Sequence, residues 1–314
     1  MKKDSKIYIA GHTGLVGSAL YRKLTAEGYT NIITKHHSTL DLRDSVQVKW
    51  FMYDMKPEYV FVCAAKVGGI YANSTYPVDF LYDNLKIGLN IIKYSYRNNV
   101  KKLMYLGSSC IYPKVCSQPI KEEYLLTGKL EETNQAYALA KLSCISLCKA
   151  YNKQLGTNYI NVLPCSIFGD NDNFDLKNSH FIPAIMRKMH EAKINNQDFV
   201  EVWGTGMPCR EFLHSDDLAD GLLFLMNESD EEVINIGSGI DYRIFEIVEM
   251  IKKVVEYKGE IHFDASKPDG TMKKLLCIDK ITEMGWKPHL DFNQGLVKLY
   301  DWYQLNLLNG DLHE

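Results

Sequence analysis

Short apolar runs alternate with longer stretches of helical periodicity through the first half of the chain. Residues 6–10, 31–34, 59–64, 102–107 and 159–164 are rich in β-branched and aromatic side chains and read as strands. Residues 16–27, 45–55 and 82–98 repeat their apolar positions at three- and four-residue spacing and read as helices. Strand–helix alternation demands right-handed crossovers, and so predicts an α/β fold with a doubly wound parallel (Rossmann) sheet. Such a sheet gathers its ligands beyond the carboxyl ends of its strands.

The regularity weakens after Gly169, where Asp170-Asn171-Asp172-Asn173-Phe174 is polar and reads as an irregular loop. Residues 180–192 then read as a helix with Pro183 in its first turn. A strand at 200–203 ends at Gly204-Thr205-Gly206. Another at 232–236 ends at Gly237-Ser238-Gly239 and precedes a helix at 244–256. The expected organisation is a nucleotide-binding domain of residues 1–169 with a return near 211–240. A smaller C-terminal α/β substrate domain takes 170–210 and 241–314.

Composition narrows the classes. Apolar residues make up 46% and charged residues 24%, enough for a sizeable core. The net charge of −3 provides no basic footprint for nucleic acid or an acidic membrane, so an anionic ligand must be gripped by local basic residues. The opening residues run straight into a strand too short for a signal segment, and no apolar run is long enough to span a bilayer; a cytoplasmic location is expected. The eight cysteines form no C-x-x-C pair and no H-E-x-x-H is present, so a zinc site is not expected and the thiols read as reduced.

Candidate chemistry collects at the strand ends. Gly11-His12-Thr13-Gly14-Leu15-Val16-Gly17 follows the first strand and opens the first helix. Glycines there let the backbone turn tightly and approach a pyrophosphate, which the helix N-terminus attracts. The spacing is G-x-x-G-x-x-G, and its place between strand and helix separates it from a plain turn. An acidic residue after the second strand would favour NAD. The chain has Thr34-Lys35-His36-His37 instead, groups that suit the 2′-phosphate of NADP(H). Asp41 either lies near the adenine or caps a helix.

The fourth strand runs into Leu106-Gly107-Ser108-Ser109-Cys110-Ile111-Tyr112-Pro113, and Tyr137-Ala138-Leu139-Ala140-Lys141 follows. A Ser, a Tyr and a Lys in this order can move a hydride to or from a carbonyl. Tyr137 and Lys141 share a helix face, and a nearby ammonium favours the phenolate. Tyr137 would protonate the oxygen as the hydride arrives, with Ser108 or Ser109 hydrogen-bonded to that oxygen. Tyr82-Asp83-Asn84-Leu85-Lys86 has the same spacing but precedes the serine strand. Cys110 either abstracts a proton beside the carbonyl or is a packed strand-end thiol.

The glycine loop, the serines, Tyr137 and Lys141 resemble the extended short-chain dehydrogenase/reductase superfamily. More segments resemble its GDP-L-fucose synthase family: Ala64-Ala65-Lys66-Val67-Gly68-Gly69-Ile70, the stretch from Gly107 to Pro113, Asp172-Asn173-Phe174 and Asn178-Ser179-His180. Val202-Trp203-Gly204-Thr205-Gly206, Arg210-Glu211-Phe212-Leu213-His214 and Asp264-Ala265-Ser266-Lys267-Pro268-Asp269-Gly270 continue the likeness. The resemblance implies an NADP(H)-dependent homodimer that epimerises C3 and C5 and reduces C4 of a GDP-linked 4-keto-6-deoxy sugar. It implies Cys110 and His180 as the proton-moving pair, since a C4 ketone acidifies both flanking carbons. It places cofactor contacts on Gly11, Thr13, Gly14, Leu15, Val16, Gly17, Lys35, Asp41, Ala64, Ala65, Leu106, Gly107, Lys141, Pro164, Ser166, Ile167 and His180. Substrate contacts fall on Lys188, Trp203, Arg210, Asp269 and Lys274.

The chain departs from the family's usual pattern in three places. Thr13 and Lys188 stand where arginine is common, and Cys165-Ser166 replaces a Thr-Asn pair near the sugar. The last change leaves C4 reduction alone, on a related GDP-4-keto sugar such as a 6-deoxy-heptose, as an alternative. A 4,6-dehydratase would carry an acidic pair near Ser109-Cys110-Ile111, and a 4-epimerase would prefer an acidic residue after the second strand. A non-catalytic nucleotide sensor is the reading from another class; it has no need of the Ser–Tyr–Lys set.

Overall fold

The computed structural model describes residues 1–176, 178–267 and 269–309. Lys177, Pro268 of the 264–270 segment and residues 310–314 of the expected second domain lie outside the described residues.

β1 (Ile7–Ala10) feeds α1 (Leu15–Ala26), followed by β2 (Ile32–Ile33) and α2 (Ser45–Met55). Asp44, not Asp41, caps α2: its carboxylate accepts from Val46 N at 2.8 Å and Gln47 N at 3.2 Å. β3 (Tyr59–Val62) leads to α3 (Ile70–Thr75) and α4 (Pro77–Arg97). α4 begins ahead of the expected residue 82 because the fixed φ of Pro77 suits a first helical position. β4 (Lys102–Leu106) precedes α5 (Gln135–Leu155), which Gly156 stops at φ 66°. β5 (Tyr159–Pro164) and β6 (Ser166–Phe168) follow.

The chain continues through α6 (Phe181–Ile194), β7 (Phe199–Trp203), β8 (Cys209–His214), α7 (Ser215–Glu228) and β9 (Val233–Ile236). It ends with β10 (Asp241–Arg243), α8 (Ile244–Val255), β11 (Glu260–Asp264), β12 (Lys273–Lys274), α9 (Asp279–Glu283) and α10 (Phe292–Asn309).

The main sheet is parallel, in the order β2-β1-β3-β4-β5-β9. β1, β4 and β5 are buried along their whole length, as a sheet covered by helices on both faces requires. α1 packs on α7, and α4 packs on both α2 and α5. A second sheet joins β10 antiparallel and β12 parallel to β8, with β6 also paired to β8; β7 pairs with β11.

Among the described residues, buried apolar side chains gather into two cores. One surrounds the parallel sheet and also takes in Leu276, Ile281 and Trp286. The other packs α6, α8 and α10 against the short strands through Met186, Val202, Phe212, Ile247 and Leu296. The described cysteines are free thiols, no described helix is long and apolar enough to cross a membrane, and no described His/Cys/Asp/Glu group could hold a metal.

Candidate active site

The order in which strands are added reverses between β1 and β3, where a ligand crevice forms. Gly11 ends β1 at φ 84°, and a Cβ there would lie 2.7 Å from the Ala64 backbone at the end of β3. A Cβ on Gly17 would lie 2.0 Å from Gly11 O, so the loop closes only with hydrogen at both positions. At Gly14 the nearest atom to a Cβ is 3.7 Å away, an ordinary contact. Gly14 precedes α1 without a side-chain cap, so the N–H groups of Leu15, Val16 and Gly17 open α1 toward the crevice, with Thr13 exposed at the tip. This cradle fits a pyrophosphate.

Lys35 follows β2, the neighbour of β1, and is exposed. His36 and His37 follow it, their rings tilted against each other with centroids 4.5 Å apart. Burial, and then the charge of His36, hold His12 below the usual imidazole range. Lys35 supplies a positive charge just beyond β2. Asp41 is engaged by Arg43, with contacts of 2.9 Å to each of its carboxylate oxygens. Ala64 and Ala65 lie just beyond β3, Leu106 and Gly107 at the end of β4, and Pro164, Ser166 and Ile167 at the β5–β6 junction. The expected cofactor residues therefore line the carboxyl edges of adjoining strands.

At the end of β4 the backbone leaves in extended form at Ser108, whose Oγ accepts from Cys110 N at 3.2 Å. The Tyr137 hydroxyl faces Ser108, whereas Ser109 is buried. Burial holds Tyr137 above the usual phenol range. Lys141, one turn along α5, is 2% exposed and donates to Leu106 O at 2.7 Å. Burial pushes its ammonium down to about 8. Tyr82 is exposed on α4, away from this cluster. His180 caps α6. Its side chain is open to solvent in the cleft, yet enough protein surrounds it to lower its pKa by desolvation.

Across from Cys110 stand two cations. Lys274 Nζ approaches the sulfur at 4.0 Å, and Arg210 is its neighbour. Arg210 and Lys274 are register partners on β8 and β12. Arg210 donates to Cys209 O at 2.8 Å and to Asp269 O at 3.5 Å. The Asp269 carboxylate accepts from Thr205 N at 2.7 Å and Thr205 Oγ1 at 2.8 Å, so part of its capacity holds the Gly204–Gly206 turn. Trp203 ends β7 and is 62% exposed, far too open for a core aromatic, with Lys267 Nζ 5.6 Å from its ring. Lys188 donates to Glu201 O at 3.3 Å on the same strand.

Two residues escape the sequence reading. Glu211 is buried behind Arg210 and accepts from Gly239 N at 2.7 Å and Leu276 N at 2.9 Å. Burial pushes it up to about 7. It ties β8 to the loop after β9 and to the chain after β12; an acid beside a conspicuous arginine was the available signal. Tyr105 lies under Lys141 with nothing in its strand pattern to set it apart from other core aromatics.

The chain can be set beside known proteins on this geometry. A family model described as the NAD dependent epimerase/dehydratase family matches residues 7–237. GDP-L-fucose synthase 1 of Arabidopsis thaliana is 50% identical over 98% of this chain and 95% of its own length. Among solved structures, a GDP-6-OMe-4-keto-L-xylo-heptose reductase from C. jejuni is 37% identical, with a TM-score of 0.93 over 98% of this chain and 99% of that one. A GDP-L-fucose synthetase from Naegleria fowleri bound to NADP is 30% identical, with a TM-score of 0.92 over 99% and 96% of the two chains. The chain belongs to the NAD dependent epimerase/dehydratase family, in the branch that holds the GDP-L-fucose synthases.

Proposed function

We propose that this protein reduces the C4 ketone of a GDP-linked 4-keto-6-deoxy sugar, after inverting C3 and C5. The observation that carries this is the convergence of Ser108, Cys110 and Tyr137 at the end of β4, with Lys274 facing the sulfur. NADP(H), held by the glycine cradle and Lys35, supplies the hydride. Ser108 and Tyr137 hold the C4 oxygen. Tyr137 gives it a proton, and the buried Lys141 favours the resulting phenolate. In the preceding step the polarised ketone makes the C3 and C5 protons acidic. One of Cys110 and His180 removes each proton and the other returns it on the opposite face.

Arg210 and Lys274 meet the pyrophosphate, Lys188 adds a further charge, and Trp203 and Asp269 take the remaining apolar and hydroxyl surfaces. The nucleotide cofactor falls to residues 1–169 and 211–240, and the sugar nucleotide to the rest. A homodimer and a cytoplasmic location belong to the same proposal. The exposed Tyr82, Leu89 and Leu139 on the paired helices α4 and α5 support the dimer.

The test is turnover of GDP-4-keto-6-deoxy-D-mannose with NADPH in D2O, read by NMR. The expected product is GDP-L-fucose carrying deuterium at C3 and C5. A second reading, C4 reduction alone on a GDP-4-keto-heptose, is supported by the likeness to the C. jejuni reductase and by Ser166 at the β5–β6 junction. Its signature is oxidation of NADPH by the heptose substrate, with no deuterium at the flanking carbons.

A further inference from the structure

Lys141 is enclosed by aromatic faces. Its Nζ lies 4.8 Å from the Tyr105 ring centroid and 5.8 Å from that of Tyr137. Tyr105 is 2% exposed on β4, and its ring lies beside Cys144, one turn beyond Lys141 on α5. Cys144 in turn fits against α4 only because residue 88 is glycine: a Cβ there would lie 2.3 Å from the sulfur and 3.5 Å from Tyr105 Cε2. The ring is thus fixed by its strand on one side and by the Gly88–Cys144 contact on the other. An aromatic face directs its negative quadrupole at a cation above it, and the attraction grows where water is excluded.

We propose that Tyr105 is a positioning residue for the reduction. Its ring face keeps the Lys141 side chain beside Tyr137 as an ammonium, and Cys144 and Gly88 hold that ring in place. The inference rests on Lys141 being the lysine of the hydride-transfer centre.

The titratable groups facing Lys141 are Tyr105 on β4, Tyr137 and Cys144 on α5, and Cys63 just beyond β3. Burial raises all four, Cys63 to about 12, so they are neutral where Lys141 titrates. An alkaline limb set by the Lys141 ammonium should then move with the Tyr105 ring, which faces it at 4.8 Å.

The experiment replaces Tyr105 with phenylalanine, trifluorophenylalanine and pentafluorophenylalanine. These are close in shape to the native ring, and fluorine progressively removes its negative face. For each, kcat/KM of NADPH-dependent reduction is followed against pH, with NADP binding as the control for folding. The expected result is an alkaline limb unchanged by phenylalanine and moved about one pH unit lower by the pentafluoro ring, with the trifluoro ring between them. Limbs that coincide throughout the fluorinated series overturn the proposal. Lys141→Met separates the two levels. Wild-type reduction by that variant sinks the reading of the centre itself. An inactive Lys141→Met with an unmoved fluorinated series sinks only the role of Tyr105.

Discussion

Lys274 on β12 places its ammonium 4.0 Å from the sulfur of Cys110, which lies in the turn just beyond β4. The contact joins β12 to the turn that follows β4. If Cys110 moves protons at C3 and C5, Cys110→Ser lowers deuterium incorporation there by about 10²–10⁴-fold. The same variant should reduce a previously epimerised ketone within a few-fold of the native rate. Equal loss of both activities would contradict this division. Lys274→Met is expected to slow exchange more than reduction.

Tyr137→Phe removes the hydroxyl proposed as the proton donor while keeping the ring that meets Phe80 edge-on at 6.4 Å. Turnover should fall by about 10²–10⁴-fold. NADP affinity, measured by calorimetry, should hardly change. A nucleotide-sensing protein would show no loss in either assay.

Lys141 is costly to bury. Its pKa falls from 10.5 to about 8 on folding, so between those values the unfolded chain binds more protons and stability rises with pH. At pH 7 the full cost is present. Lys141→Met is therefore expected to abolish reduction yet stabilise the protein at pH 7 by about 1–2 kcal/mol, seen as a higher Tm. That gain should shrink as the pH approaches 10. A Tm that drops at pH 7 would count against the buried ammonium.

Gly17→Ala puts a methyl 2.0 Å from Gly11 O. The turn must open, at a cost of about 1–3 kcal/mol, and the cradle loses its shape. The expected outcome is loss of measurable NADP binding in a protein that still folds. Gly14→Ala, which meets only an ordinary contact at 3.7 Å, should retain it.

Lys35→Glu reverses an exposed charge just beyond β2. Preference for NADPH over NADH, taken as the ratio of kcat/KM values, is expected to drop about tenfold at low salt, or ~1.4 kcal/mol. An unchanged ratio would move the 2′-phosphate away from Lys35.

The parallel half of the fold was legible because its strands are short, β-branched and separated by helices of clear period; β5 and α2 begin and end where the pattern places them. α3 was not, since six residues are too few to show a period. The β8 sheet was not, because its partners come from residues 241–243 and 273–274, and nothing local in Lys273-Lys274 announces a strand. In the site, the Ser108/Ser109 pair, Tyr137 and Lys141 could be named because their chemistry follows strand order. Glu211 and Tyr105 make their contacts with distant chain and carry no local mark.

The two cores share the chain in alternation. Phe212 packs into one and Leu213 into the other, and Leu276, Ile281 and Trp286 return to the sheet core before Leu296 rejoins the second. Neither core can be closed while the other stays open, so a cut at any loop between them leaves two incomplete halves. Thermal unfolding is therefore expected as one cooperative transition. A nucleotide bound at the glycine loop and a sugar nucleotide bound at β8 would each raise the melting temperature of the same unit.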